Sequence, residues 1–174
     1  MKVLRTIRDK DLDENTADPE KYKERSAARA VVFDADGNVA LLHATKKHYH
    51  KLAGGGVESG EDIAAALKRE LLEEIGCSVE NVRDLGIIEE YRNKIQLHQL
   101  SYCYLADVVG EKGAPIFEED ERADGFDPVW LGLNNAIETL ESEIGVEDYE
   151  GKFIQMRDLT FLQEAKKQIE KNES

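Results

Sequence analysis

Apolar runs bounded by a turn read as strands in residues 28–33 (ARAVVF) and 39–43 (VALLH), joined by the turn sequence Asp34-Ala35-Asp36-Gly37. Past the glycines at 54–56 the period lengthens. Ile63, Ala66, Leu67 and Leu71 recur at helical spacing, with Ser59 or Glu61 near the start and Gly76 as the stop. Strand patterning returns at 82–91, at 97–109 through Leu100, Tyr102, Tyr104, Ala106 and Val108, and briefly at 129–131. Residues 134–142 read as a helix, and 158–171 as an amphipathic one with Asp158 as its cap and Leu159, Leu162, Ala165 and Ile169 facing inward. Residues 1–25 are polar, weakly periodic, and predict an edge strand and a loop. Strands interleaved with helices in this order predict an α/β fold, a mixed sheet packed between helices, with no repeat or interdomain linker.

The first helix carries the chemistry. Glu70, Glu73 and Glu74 fall within one turn and on one side, where like charges repel by roughly 0.2–0.5 kcal/mol per pair. Leu67 and Leu71 flank them, so these carboxylates border the buried face. A multivalent cation would turn the repulsion into binding energy, and hard divalent ions such as magnesium select oxygen ligands that they share with substrate phosphates.

Composition narrows the partners. The net charge of -14, from 37 acidic and 23 basic residues, argues against nucleic acid or an anionic membrane as partner, but not against a small phosphate ligand that brings a metal ion. No apolar run approaches the roughly 20 residues needed to span a bilayer. The N-terminal MKVLRTIRDKDLDEN has no signal-peptide core, and two cysteines, Cys77 and Cys103, predict reduced thiols in a cytoplasmic protein. Both cysteines read as small buried residues.

Gly55, five residues, Glu61, seven residues, then Arg69-Glu70-Leu71-Leu72-Glu73-Glu74-Ile75-Gly76-Cys77 resembles the Nudix box, with every fixed position filled; chance agreement at a given start is on the order of 10⁻⁹. Cys77 stands where an aliphatic residue is usual, and Ala53 where a proline often precedes the glycines. The resemblance implies an α/β/α sandwich that hydrolyses a pyrophosphate bond in a nucleoside diphosphate linked to a further group. It also implies magnesium, with manganese as a substitute. Carried over by position, Glu73 and Glu74 look like metal ligands, and Glu70 like a third ligand or the base that activates water. A backbone carbonyl of Ala53 or Gly54 completes the site. Arg69 and Glu61, beside Gly55, orient the carboxylates. Some members take a base or extra ligand from a later loop; here Glu118, Glu119, Asp120 and Glu121 are the candidates, although such an acidic run is more often solvated surface.

The same resemblance, by elimination of subfamily signatures, points to a nucleoside triphosphate, including oxidised ones, as substrate. Alternatives are an ADP-ribose or other sugar-nucleotide pyrophosphatase and, in another class, a nucleotide-binding sensor without turnover. Isopentenyl diphosphate isomerase and mRNA decapping fit less well, given the intact box and the acidic balance. His43, His48, His50 and His98 lack metal-ligand spacing, and Trp130, Tyr102 and Tyr104 read as packing residues; Tyr91 is a weak candidate for substrate contact. Residues 1–25 are a candidate homodimer contact.

Overall fold

The computed structural model describes residues 1–143 and 146–172. Strands β1 (Val3–Arg8), β2 (Lys23–Phe33), β3 (Asn38–Ala44), β4 (Tyr49–Lys51), β5 (Gly54–Gly56), β6 (Ser78–Arg92), β7 (Leu97–Val109) and β8 (Phe126–Gly132) form one mixed sheet. The order is β1-β6-β7-β2-β3-β4, with β5 beside β2 and β8 beside β3. β1 runs parallel to β6 and β2 parallel to β7, while β6–β7 and β3–β8 are antiparallel.

Alternation in β2 sends its side chains into two cores. Ala28, Ala30 and Val32 meet Ala66, Leu67, Leu71 and Ile75 of helix α1 (Ile63–Ile75). Val31, on the opposite face, joins Val39, Leu41 and Ile88 under two later helices. With α2 (Glu119–Asp124) preceding them, these are α3 (Leu133–Ser142) and α4 (Tyr149–Asn172), which contribute Ile137, Leu140, Phe153, Phe161 and Leu162. The result is the expected α/β/α layering. No helix among the described residues is long and apolar enough to cross a membrane.

Several boundaries differ from the sequence expectation. Asp62, rather than Ser59 or Glu61, caps α1 by accepting from the Ala65 N–H at 2.7 Å. The predicted acidic loop is helical: Glu118 and Glu121 cap α2 reciprocally and Gly125 ends it. α4 begins nine residues before Asp158, which is fully buried mid-helix, not a cap. Its carboxylate instead accepts from the Leu52 N–H at 2.8 Å and from Arg157 at 2.7 Å. Burying an ion costs several kcal/mol, but pairing and the fully buried Phe153, Phe161 and Leu162, each worth about 1.5–3 kcal/mol, hold the pair inside. On β7 the second face, Gln99, Ser101, Cys103 and Leu105, is the more deeply buried one.

Candidate active site

β5 lies antiparallel to β2, pairing Gly54 with Arg29, Gly55 with Ala28 and Gly56 with Ala27. α1 packs directly over it. A Cβ on Gly55 would stand 2.5 Å from Glu70 Oε1, so only glycine lets that carboxylate reach the strand. Glu74, 1% exposed, accepts from the Gly54 N–H and from Lys51 Nζ at 2.8 Å. Glu73 is the most open of the three, its side chain 34% exposed.

Arg69 ties this group together. Its guanidinium donates to Glu61 through Nε and Nη2, both at 3.0 Å, to Glu70 at 2.8 Å, to Glu73 at 3.1 Å and to the Gly56 carbonyl at 3.0 Å. The Glu61 bond, ahead of the others, raises the Arg69 pKa and holds the Glu61 carboxyl below its usual range. Burial, then the neighbouring Glu74, raises the Glu70 carboxyl. The Gly54 carbonyl accepts from Arg29 Nη1 at 2.7 Å.

Gly54–Gly56, Arg69, Glu70, Glu73 and Glu74, but not Glu61, line a cleft of about 440 Å³, within the roughly 300–1,000 Å³ of small-molecule sites. Glu118, Asp120 and Glu121 also line it; Glu119 does not. Burial, opposed by the Glu118 N–H and reinforced by Glu74, pushes the Glu121 carboxyl up to about 7. Tyr91 lies away from the cleft lining, stacked on His98, and His50 pairs with Glu143 while stacking on His43. Trp130 packs under Lys112, and Cys77 and Cys103 are buried free thiols.

As placed, the box carboxylates are taken up by Arg69, Lys51 and the Gly54 N–H, and among the described residues no three His, Cys, Asp or Glu side chains converge to hold an ion. The donor set nevertheless suits a hard divalent cation. Glu70 and Glu74 offer buried carboxylate oxygens and Glu73 and Glu121 more open ones, and burial together with the neighbouring Glu74 raises the carboxyls of Glu70 and Glu121, a cost that such a cation would relieve.

The sequence reading missed the opposite wall. Arg25, Arg29, Arg92 and Arg157 line the same cleft, with Lys47, Lys51, Tyr49, Phe126, Glu150 and Ile154. Arg29 offered a signal, as a cation inside an otherwise apolar strand sequence. Arg92 and Arg157 did not, since each reads as ordinary surface polarity until the strands and α4 are brought together.

A family model described as the NUDIX domain matches residues 23–156. Human diphosphoinositol polyphosphate phosphohydrolase 3-beta is 29% identical over 129 residues, covering 72% of this chain and 74% of that protein. An RNA pyrophosphohydrolase of Rhodopseudomonas palustris (strain BisA53) is 39% identical over 64 residues, 37% of this chain and 35% of that one. Among solved structures, a NUDIX hydrolase from Nitrosomonas europaea superposes with a TM-score of 0.57 at 19% identity, over 75% of this chain and 88% of the other, a likeness of fold.

Proposed function

The chain belongs to the Nudix family, and from that premise we propose that this pyrophosphohydrolase cleaves a phosphoanhydride of a nucleoside triphosphate with magnesium bound at Glu73 and Glu74, beside Glu70. The observation that carries the reading is the set of three box carboxylates, Glu70 and Glu73 held by Arg69 and Glu74 by Lys51 and the Gly54 N–H, beside Gly54–Gly56 on one side of a cleft of ligand size. Glu73, Glu74 and the Gly54 carbonyl would hold the ion, and Lys51 and Arg69 would exchange part of their present contacts for it. When bound, the ion neutralises phosphate oxygens and so favours attack of water on phosphorus.

The chain's own part is positional. Arg69 keeps Glu61, Glu70 and Glu73 in register with the glycine strand. Glu70, buried and pressed against Gly55, is the proposed base: it accepts the proton of the attacking water as the new P–O bond forms and the bridging P–O bond breaks. Glu121 is the alternative base, on the cleft wall beside Glu74. A second substrate reading is favoured by the human relative, whose name specifies a diphosphoinositol polyphosphate.

The test is release of phosphate or pyrophosphate, with magnesium, from nucleoside triphosphates, sugar nucleotides, dinucleotides and polyphosphorylated inositol diphosphates. Glu73→Gln is expected to lower turnover by several orders of magnitude, on the order of 10³ or more, without loss of fold. Glu74→Gln adds a stability loss, because Glu74 also anchors Lys51 and Gly54. Near-normal turnover in both variants would eliminate the assignment. Glu70→Gln against Glu121→Gln separates the two bases, since only loss of the true base removes the acid-side limb of the pH–rate profile.

A further inference from the structure

The guanidinium wall has more positive charge and more hydrogen-bond donors than the protein itself uses. Arg29, Arg92 and Arg157 are 5%, 3% and 0% exposed, and Arg25 stands exposed at the mouth. Strand alternation explains the gathering. Arg25 and Arg29 project from β2 on the same face as Gln99 of β7 and Glu90 of β6, whose register pairs Arg25 with Gln99 and Gln99 with Glu90. Arg25 donates to Gln99 at 2.9 Å, Gln99 to Glu90 at 2.7 Å, and Arg92 to Glu90 at 2.8 Å.

Two buried carboxylates, Glu90 and Asp158, face these four cations; Glu150, half exposed, adds a contact to Arg92 at 3.0 Å. An excess of positive charge therefore remains even in a chain of net charge -14. Among the described residues, three arginine donors are buried with no hydrogen-bond partner: Arg29 Nε, Arg92 Nε and Arg157 Nη1. The last lies 3.6 Å from Glu90, too far for a hydrogen bond. Buried donors of this kind are rare unless a ligand completes them.

Resting on the hydrolase reading, we infer that Arg25, Arg29, Arg92 and Arg157 form a subsite for a further phosphate of the substrate, beyond the two phosphates joined by the cleaved anhydride. A neutral sugar or base cannot offset the excess charge, and a cation would be repelled. A phosphate can do both tasks, offering charge and several acceptor oxygens that match the guanidinium fork. Gly56 places the subsite beside the cleavage site, because the Arg25 guanidinium lies where a Cβ on Gly56 would be only 2.9 Å from it. The third phosphate is either the terminal one of a nucleoside triphosphate or a phosphomonoester on the group attached to the diphosphate.

The first experiment titrates inorganic tripolyphosphate into the full chain by calorimetry, with divalent ions chelated. Wild type is expected to bind, and Arg25→Gln at least about tenfold more weakly. Arg157→Lys, checked for fold by circular dichroism, keeps the charge but loses the planar fork, and also weakens binding. No binding by wild type, or wild-type affinity in Arg25→Gln, overturns the subsite. The second is kinetic: Arg25→Gln raises KM about tenfold for substrates bearing a third phosphate and leaves KM unchanged for a nucleoside diphosphate joined to a neutral sugar. An equal rise for both kinds overturns it, and comparison of triphosphate with phosphomonoester substrates names the source. Tripolyphosphate binding without hydrolysis of any substrate would sink the hydrolase reading alone; hydrolysis without Arg25-dependent binding would sink the subsite alone.

Discussion

Gly55 and Arg69 together illustrate how little room the Glu70 carboxylate leaves. Adding one methyl at Gly55 would place carbon 2.5–2.6 Å from three atoms of the Glu70 carboxyl group. That carboxyl is also the one Arg69 grips, so it cannot swing away without releasing a charge-assisted bond. Gly55→Ala is therefore expected to displace Glu70 by about an ångström and lower kcat about 10²-fold. The fold should persist, because Gly55 lies half-buried on a three-residue strand and the clash is with the end of one side chain. Circular dichroism and steady-state kinetics on one preparation check this; wild-type kcat would refute the contact as functional.

Between elements, Glu90 joins β6, β7 and α4. Its carboxylate takes Arg92, Gln99 and Ser101 as hydrogen-bond donors, with Arg157 close by. Burial pushes its pKa up, but Arg157 and Arg92 outweigh burial and hold it below the ordinary 4.5. A carboxyl lower in the folded than in the unfolded chain stabilises fully above about pH 4.5, and the contribution fades as the pH falls through its folded value. Glu90→Gln is thus expected to cost about 3–5 kcal/mol at pH 7, by leaving Arg92 with Glu150 alone and Arg157 with Asp158 alone. The gap between wild type and variant should narrow as the pH falls below 4.5 in urea unfolding; a gap independent of pH would show that the charge is not what matters.

For the molecule as a whole, the carboxylate-rich site and the net charge of -14 act in the same direction. A divalent cation that binds the native cleft and not the unfolded chain stabilises by mass action, about 2.7 kcal/mol at one hundred times Kd. For a chain of this size that raises Tm by about 5–10 °C. Differential scanning fluorimetry with magnesium against chelator checks the expectation, and the double variant Glu73→Gln, Glu74→Gln should lose the increment. An unchanged wild-type Tm at saturating magnesium would count against the ion.

The layered fold and the box helix were legible because local periodicity and spacing encode them: β2, β7, α1 and the trio Glu70, Glu73 and Glu74 all follow from neighbours in sequence. The acidic run at 118–121 was harder, since a solvated loop and a self-capped helix have the same composition. Tertiary contact alone decided that Asp158 is a buried partner of Leu52, and that Arg25, Arg29, Arg92 and Arg157 meet in one cleft. Those arginines are up to 132 residues apart (157 minus 25), and no short-range pattern can tell a solvated guanidinium from one that sheet register and a packed helix bring together in the interior.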